Sequence, residues 1–141
     1  MKLSEIKRDV EAIEAGVWVG AKYGTPIPEM GDLALKVRGE GNIDWRRLQT
    51  RLINGLAHKR RVNGLTVEDQ DRLTGECLKK ACLLDWEGIE GPDGKPVPYS
   101  ADQAAALIDD PAYAAFRGAV LWAAQFVGTQ AAKDLQDDIK N

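Results

Sequence analysis

The chain has 141 residues, 44% of them hydrophobic and 29% charged, and its formal net charge at pH 7 is −3. This composition predicts a single globular domain spanning 1–141 and excludes wholesale disorder. The net charge gives no general attraction to nucleic acid or to acidic membranes, and no apolar run reaches the ~18 residues of a membrane-spanning helix. Because the first nine residues include acids where a signal peptide is apolar, we expect a cytoplasmic location.

Residues 1–40 predict a short helix followed by a β-hairpin. Apolar residues recur at helical spacing up to Gly16, which is typical of the residue that ends a helix. The predicted inward stripe consists of Leu3, Ile6, Val10 and Ile13. Residues 16–23 are rich in β-branched and aromatic side chains, and residues 35–38 alternate apolar with polar. We therefore predict two antiparallel strands joined by a long loop in which prolines prevent regular structure.

A central helix is predicted over residues 44–63, with Asp44 as its N-cap and Gly64 just beyond its end. Gly55 is expected to weaken the middle of this helix. The predicted buried stripe is Leu48, Leu52, Ile53 and Leu56. The predicted solvent-exposed basic residues are Arg46, Arg47, Arg51 and Lys59.

A second central helix is predicted from Thr66, its N-cap, to about Leu84. Asp69 occupies the third helical position, where a capping box would prefer Glu. The only two cysteines, Cys77 and Cys82, fall on this predicted helix, five residues apart. On a helix, that spacing separates their Cα atoms by roughly 8 Å, beyond the reach of a disulfide. We expect both to be buried free thiols.

Residues 85–100 predict a proline-rich, extended arm with a tight turn at Gly91–Gly94. Because Trp86 lies on this arm, we expect it to be the most exposed of the four tryptophans and a candidate contact with another protein.

Two helices are predicted to follow the arm. Ser100 and Gln103 form a capping-box pattern, and Asp110-Pro111 supplies a cap and a first-turn proline. The second helix has an apolar face formed by Tyr113, Phe116, Val120, Ala123 and Val127, widened by Leu121, Trp122 and Ala124. Beyond Gly128 the apolar pattern thins, so we expect residues 129–141 to form a mobile helical tail that is either a frayed extension of the helix or dependent on a partner.

The candidate chemical motifs do not predict catalysis. The acidic pairs at 109–110 and 137–138 fit helix capping better than acid–base chemistry. The single histidine, His58, and the two cysteines do not supply an ordinary zinc site. The glycine-containing segment 38–42 lacks the Lys-Ser/Thr ending of a phosphate loop. We therefore expect no catalytic residue, no cofactor, no metal ligand and no enzyme.

Charge is distributed unevenly, which favours contacts between proteins. Residues 36–61 are strongly basic, whereas residues 66–141 hold about twice as many acids as bases, so these regions are candidate patches for self-association. The candidate interaction residues are Trp86, Tyr99, Trp122, Arg46, Arg47 and Arg51. The basic helix could instead meet nucleic acid, with Trp45 stacking on a base. The acidic net charge and the spread of the basic residues over more than one helix face make nucleic acid an unlikely partner.

Several segments resemble the tail assembly chaperones of long-tailed bacteriophages. They are residues 13–19, 31–39, 42–49 and 85–88, and above all 93–100, with Asp110-Pro111 and Phe116 after them. The resemblance implies a non-enzymatic helper in the host cytoplasm that binds the tape measure protein, helps recruit tail tube protein, and acts as a homo-oligomer.

The expected fold class is α+β, mainly α, with a small N-terminal antiparallel β-hairpin packed on a bundle of about four to five helices. Within 1–141 we expect an N-terminal helix plus hairpin in 1–40, a helical core in 43–128 containing the arm 85–100, and the tail 129–141. Three alternatives to the chaperone remain open at this stage. They are a structural minor tail or connector protein retained in the virion, a small nucleic-acid-binding protein, and a phage protein that inhibits a host system.

Overall fold

A computed structural model describes residues 1–129, which fold as a mainly helical α+β structure around a small antiparallel sheet, as predicted. The helices are α1 (Val10–Ala15), α2 (Ile43–Asn54), α3 (His58–Asn63), α4 (Val67–Ala81), α5 (Ala101–Asp109) and α6 (Ala114–Val127). The strands are β1 (Val17–Gly20), β2 (Ala34–Val37) and β3 (Leu83–Glu87). Short 3₁₀ turns lie at Leu3–Glu5, Ala21–Tyr23 and Pro111–Tyr113.

The sheet has the order β1-β2-β3, with antiparallel neighbours. The predicted hairpin of β1 and β2 is confirmed, and its strands pair from Val17 with Val37 to Gly20 with Ala34. β3 was not predicted, since the sequence favoured a helix to Leu84 and then an irregular arm. Because β2 is the central strand, it is more buried than the half-buried strand expected, and Leu35 and Val37 are fully buried.

The N-terminal helix is shorter than predicted. α1 starts after Asp9, whose side chain accepts a hydrogen bond from Ala12 N, and ends at Gly16. Of the expected inward stripe, only Ile13 is buried, while Leu3, Ile6 and Val10 are exposed. The prediction of one helix over residues 3–14 is therefore wrong for its first half.

The predicted helix 44–63 is two helices. α2 ends at Gly55, and α3 begins after Ala57, so the weak point at Asn54-Gly55 is a complete break. The cap of α2 is Asn42 instead of Asp44: its Oδ1 accepts from Trp45 N at 2.9 Å. Asp44 binds the Arg38 guanidinium at 2.8 Å instead.

α4 begins as predicted and ends three residues early. Thr66 and Asp69 form a capping box. The backbone N–H of Asp69 donates to the Thr66 hydroxyl oxygen, and the backbone N–H of Thr66 donates to the Asp69 carboxylate. The helix ends at Ala81, so Cys82 lies just beyond it and Cys77 within it. Both cysteines are buried and unbridged.

α5 starts at its predicted cap, whereas the predicted cap Asp110 precedes the 3₁₀ turn Pro111–Tyr113, and α6 begins only after Tyr113, which makes no side-chain cap bond. Ser100 Oγ accepts from Gln103 N, and Asp110 Oδ1 accepts from Ala112 N with Pro111 at the first position. The predicted apolar face of α6 is buried at Phe116, Val120, Ala123 and Val127, whereas Tyr113 is half exposed. One continuous buried cluster joins this face to the sheet and to α2, α4 and α5.

Two of the earlier expectations concern membranes and the tail. No helix within residues 1–129 is both long enough and apolar enough to cross a bilayer. The predicted tail 129–141 lies, apart from Thr129, outside the residues that the structure describes.

Candidate protein-interaction surfaces

Trp86 is a core residue, so the prediction that it is the most exposed tryptophan is wrong. Only 4% of its surface is exposed. Its indole N–H donates to Val97 O at 2.8 Å, and its ring makes edge contacts with Tyr99 and Phe116 at centroid distances of 5.1 and 5.8 Å. Trp86 therefore holds the proline-rich arm against α6 and is inaccessible to a partner.

Tyr99 is half-buried and also fastens the arm. Its hydroxyl donates to Leu83 O at 3.3 Å. Burial, with a smaller contribution from Asp85, raises the pKa of the Tyr99 phenol. The arm itself is folded back, because Val97 N donates to Ile89 O at 2.8 Å and Gly91 N to Lys95 O at 2.9 Å. The predicted extended arm is therefore a tight hairpin-like loop.

Trp122 is half-buried on α6 and stacks on Phe126, with ring centroids 5.2 Å apart. It lines a cavity of about 290 Å³ between α6 and the β1–β2 loop. A second cavity of about 260 Å³ continues on the other side of Met30, towards the arm and α5. We call the two together the apolar groove, defined by Ile27, Met30, Leu107, Ile89, Tyr113 and Trp122.

Two backbone features shape the apolar groove. Gly118 lies on its α6 side, and a Cβ atom added there would meet no atom within 4 Å, so the groove is open at this position. On the loop side, Glu29 has a φ of 62°, in the left-handed region that costs a residue with a side chain roughly 1–2 kcal/mol. Glu29 is itself one of the residues that line the groove.

Arg46, Arg47 and Arg51 lie together on the exposed side of α2. With Ile43, Thr50 and Asn54 they line an open concavity of about 670 Å³, and we call these six residues the arginine face. The predicted spread over several faces therefore does not apply to these three arginines, although Lys59, Arg60 and Arg61 do lie apart on α3. None of the three has an ion-pair partner within residues 1–129.

The start of α2 is fixed from three sides. Asn42 is fully buried, and its amide donates to Ala81 O at 2.6 Å and to Gly39 O at 3.0 Å. Ile43 N donates to the Glu14 carboxylate, and Arg38 binds both Glu14 and Asp44. The arginine face is consequently presented on a firmly anchored helix.

Trp45 does not belong to either surface. It is 6% exposed and packs in the core on the inner side of α2. The suggestion that it stacks on a nucleic-acid base is wrong, because its ring is covered by the rest of the fold.

Five acids of the described residues 66–129 form ion pairs within the chain. Their side-chain ion pairs are Asp69–Arg60, Asp71–Arg117, Glu76–Lys79, Glu76–Lys80, Asp109–Lys79 and Glu87–Lys22. The hydrogen bonds from Arg60 hold the pKa of Asp69 below its usual range. These carboxylates are thus engaged internally, in contrast to the arginines of α2.

The remaining reactive groups lie apart from both surfaces. Burial raises the pKa of the Cys77 thiol to about 11 and that of Cys82 to about 12. His58 is exposed on α3. Within residues 1–129, no three side chains of the His, Cys, Asp and Glu types come together as a potential metal site.

Sequence reasoning identified the arginines and Trp122 but missed most of the apolar groove. Met30, Ile89, Leu107 and Tyr113 lie on four separate segments, a loop, the arm and two helical ends. In the sequence, these four residues share only one property: each is an apolar or aromatic residue close to a segment without regular secondary structure. No local spacing brings them together, because tertiary packing does so.

The structure defines a mainly helical α+β protein with two exposed surfaces that the rest of the described chain leaves uncovered. A family model described as YdaY prophage protein matches residues 40–141, so the chain belongs to this family and is phage-derived. The match includes the arginine face and the α6 side of the apolar groove. No curated protein and no solved structure matches the chain.

Proposed function

We propose that this protein is a phage tail assembly chaperone, a non-enzymatic helper that acts in the host cytoplasm. It binds the tape measure protein and assists assembly of the tail tube protein, and its working form is a homo-oligomer. The family membership supports a phage role, and the sequence resemblance supports the tail assembly role within it.

The observation that carries this proposal is the apolar groove. A chaperone for a long apolar helix needs exposed apolar surface on a domain that stays folded and soluble. The groove offers such surface between α6 and the β1–β2 loop, with Met30 and Trp122 half-buried at its centre and edge. An amphipathic helix binds such a groove by inserting apolar side chains three and four residues apart.

The direct test is co-expression of the full chain with the tape measure protein of the same prophage. We expect the tape measure protein to become soluble and to co-purify with this chain. Gly118→Leu should reduce co-purification about ten-fold, equivalent to ~1.4 kcal/mol of binding free energy, because the new side chain occupies the groove. The variant should fold normally, since Leu favours a helix over Gly by roughly 0.8 kcal/mol and the site is open.

Ala106→Leu is the matched control. It adds the same side chain at an exposed helical position, on α5 instead of α6, outside both cavities of the groove. It should leave co-purification unchanged.

The proposal fails if the tape measure protein is equally soluble without this chain. A stoichiometric amount of the chain in purified particles, measured by mass spectrometry, would favour a structural tail component instead. Light scattering on the purified chain tests the homo-oligomer, and a monomer mass would contradict it.

A further inference from the structure

The arginine face stands out because its three arginines are adjacent and, in the described part of the chain, unpaired, whereas three arginines elsewhere in the fold are bound by carboxylates. Arg38, Arg60 and Arg117 each bind a carboxylate of the same chain at 2.6–3.5 Å. Arg46, Arg47 and Arg51 are exposed and have no such partner within residues 1–129. Three adjacent guanidinium groups without counter-charges repel one another, so a bound acidic group would be stabilised here.

The shape of the arginine face matches a helix. Its residues form two rows along α2, each spaced four apart: 43, 47 and 51, and 46, 50 and 54. These rows extend over most of α2, which has 12 residues, and at 1.5 Å per residue that is roughly 18 Å. The concavity is long, shallow and open, unlike a pocket for a small molecule.

The floor of the arginine face is largely apolar. Ile43 is half-buried at one end, and the aliphatic stems of the arginines cover the rest. A partner that suits this surface has apolar side chains along its centre and carboxylates on its flanks. This pattern is that of an acidic amphipathic helix.

The charges around the arginine face favour the same partner. Asp44, which lines the adjoining groove, is already bound by Arg38 at 2.8 Å. On the α4 side, Lys80 lines the adjoining groove with Arg47 and Arg51, but Glu76 pairs with it at 2.9 Å, so the three arginines carry the uncompensated positive charge here. Asp69, Asp71, Glu76, Glu87 and Asp109 are already paired within the chain, so these five acids of a second copy would be poor partners.

We propose that the arginine face binds an acidic amphipathic helix of another protein, about three turns long, with its apolar side on Ile43 and its carboxylates on the three arginines. This surface shares no lining residue with the apolar groove, so a ligand bound to one leaves the lining residues of the other free. A nucleic acid suits the surface less well, because the arginine face contains no aromatic ring on which a base could stack.

Fluorescence anisotropy with the full chain tests this proposal. The probe is a labelled synthetic peptide of about fifteen residues, with leucines four apart flanked by glutamates, long enough for three to four helical turns. We expect saturable binding that weakens several-fold when the salt concentration is raised from about 50 to about 300 mM. A peptide of the same composition in scrambled order keeps the charge and loses the apolar stripe, and it should bind at least about five-fold more weakly.

The decisive variant reverses the charge of the arginine face, with Arg46→Glu, Arg47→Glu and Arg51→Glu combined. All three residues are exposed, so the fold should persist, and the circular dichroism spectrum checks this. Binding of the peptide should fall at least about ten-fold. The matched control combines Lys59→Glu, Arg61→Glu and Arg72→Glu, which changes the net charge by the same amount at exposed positions outside the arginine face. The control should retain nearly all of the binding.

Four outcomes overturn the proposal. Equal loss in the control variant would mean that net charge alone drives binding. Tight binding of a single-stranded oligonucleotide, without binding of the peptide, would assign the arginine face to nucleic acid. A fall in oligomer mass in the arginine variant would make this face a contact between copies. Finally, binding of the peptide only after Asp134→Asn, Asp137→Asn and Asp138→Asn in the full chain would mean that its own acidic residues compete for the surface.

Discussion

Asn42 joins the start of α2 to the end of α4, and we expect Asn42→Ala to be strongly destabilising. The side chain is fully buried and makes three hydrogen bonds. Its oxygen caps α2 at Trp45 N, and its amide binds Gly39 O and Ala81 O. Alanine removes all three bonds and supplies no replacement.

The magnitude follows from the separate losses. An N-cap asparagine replaced by alanine costs about 1 kcal/mol. A buried carbonyl left without its partner costs about 1–3 kcal/mol more, and Ala81 O, bound at 2.6 Å, is in that position. We expect the free energy of unfolding to fall by about 2–4 kcal/mol, a large part of the roughly 5–15 kcal/mol typical of a domain.

Urea unfolding followed by circular dichroism measures this change as a lower midpoint at an unchanged slope. Asn42→Ser keeps a capping oxygen but cannot reach Ala81 O, so its loss should be intermediate. Asn54→Ala, at the exposed end of the same helix, should change stability by no more than about 0.5 kcal/mol. A loss below about 1 kcal/mol for Asn42→Ala would refute the argument that the bond to Ala81 O matters.

Three further predictions concern buried thiols, acid stability and loop strain. Because burial raises the pKa of Cys77 to about 11 and of Cys82 to about 12, a thiol reagent at neutral pH should label neither until urea unfolds the chain; rapid labelling of the native protein would contradict this. Because Arg60 lowers the pKa of Asp69 in the folded state, this carboxylate stabilises the fold above its unfolded pKa of about 4 and loses that effect as the pH falls further. Asp69→Asn should therefore be less stable at pH 7 and should show a smaller acid-induced drop of the urea midpoint than the wild type; an equal drop would be inconsistent with this account. Glu29→Gly should raise the free energy of unfolding by about 0.5–1 kcal/mol, since glycine tolerates the φ of 62° but is more disordered when unfolded; a lower urea midpoint would argue against strain at this position.

Three helix starts were predictable because their capping side chains bond to neighbouring residues. Thr66, Ser100 and Asp110 each cap the helical segment that follows, as their positions in the sequence indicated. The apolar stripe of α6 was equally clear, since a long helix that buries one face repeats every three to four residues.

β3 was missed because a bulge hides its alternation. Lys36 pairs with Asp85 and Val37 with Leu83, so Leu84 is the bulged residue and has no paired residue in β2. The Leu84 side chain is exposed. Leu83 and Trp86 are both buried although they are three residues apart, a spacing typical of a helix and not of a regular strand. Because β3 was not predicted, Trp86 was assigned to the irregular arm, and for that reason it was wrongly expected to be exposed.

The cap of α2 was misassigned because two good capping residues lie two positions apart. Asn and Asp are nearly equivalent as caps, and local reasoning does not separate Asn42 from Asp44. Tertiary contacts do: position 42 faces two backbone carbonyls, which require a donor that a carboxylate lacks. Position 44 faces Arg38, where a carboxylate is favourable.

The two proposed surfaces differ in how far sequence alone could reveal them. The arginine face lies on one helix, so its charge was visible in the sequence, and only its shape and lack of partners required the structure. The apolar groove depends on Met30 from the β1–β2 loop meeting Trp122 of α6, a contact between distant segments. The family match starts at residue 40, so it includes the arginine face and all of the groove except the residues of the β1–β2 loop. Since Gly118→Leu and the arginine reversals alter different residues on different elements, loss of one binding activity with retention of the other would establish that the surfaces act independently.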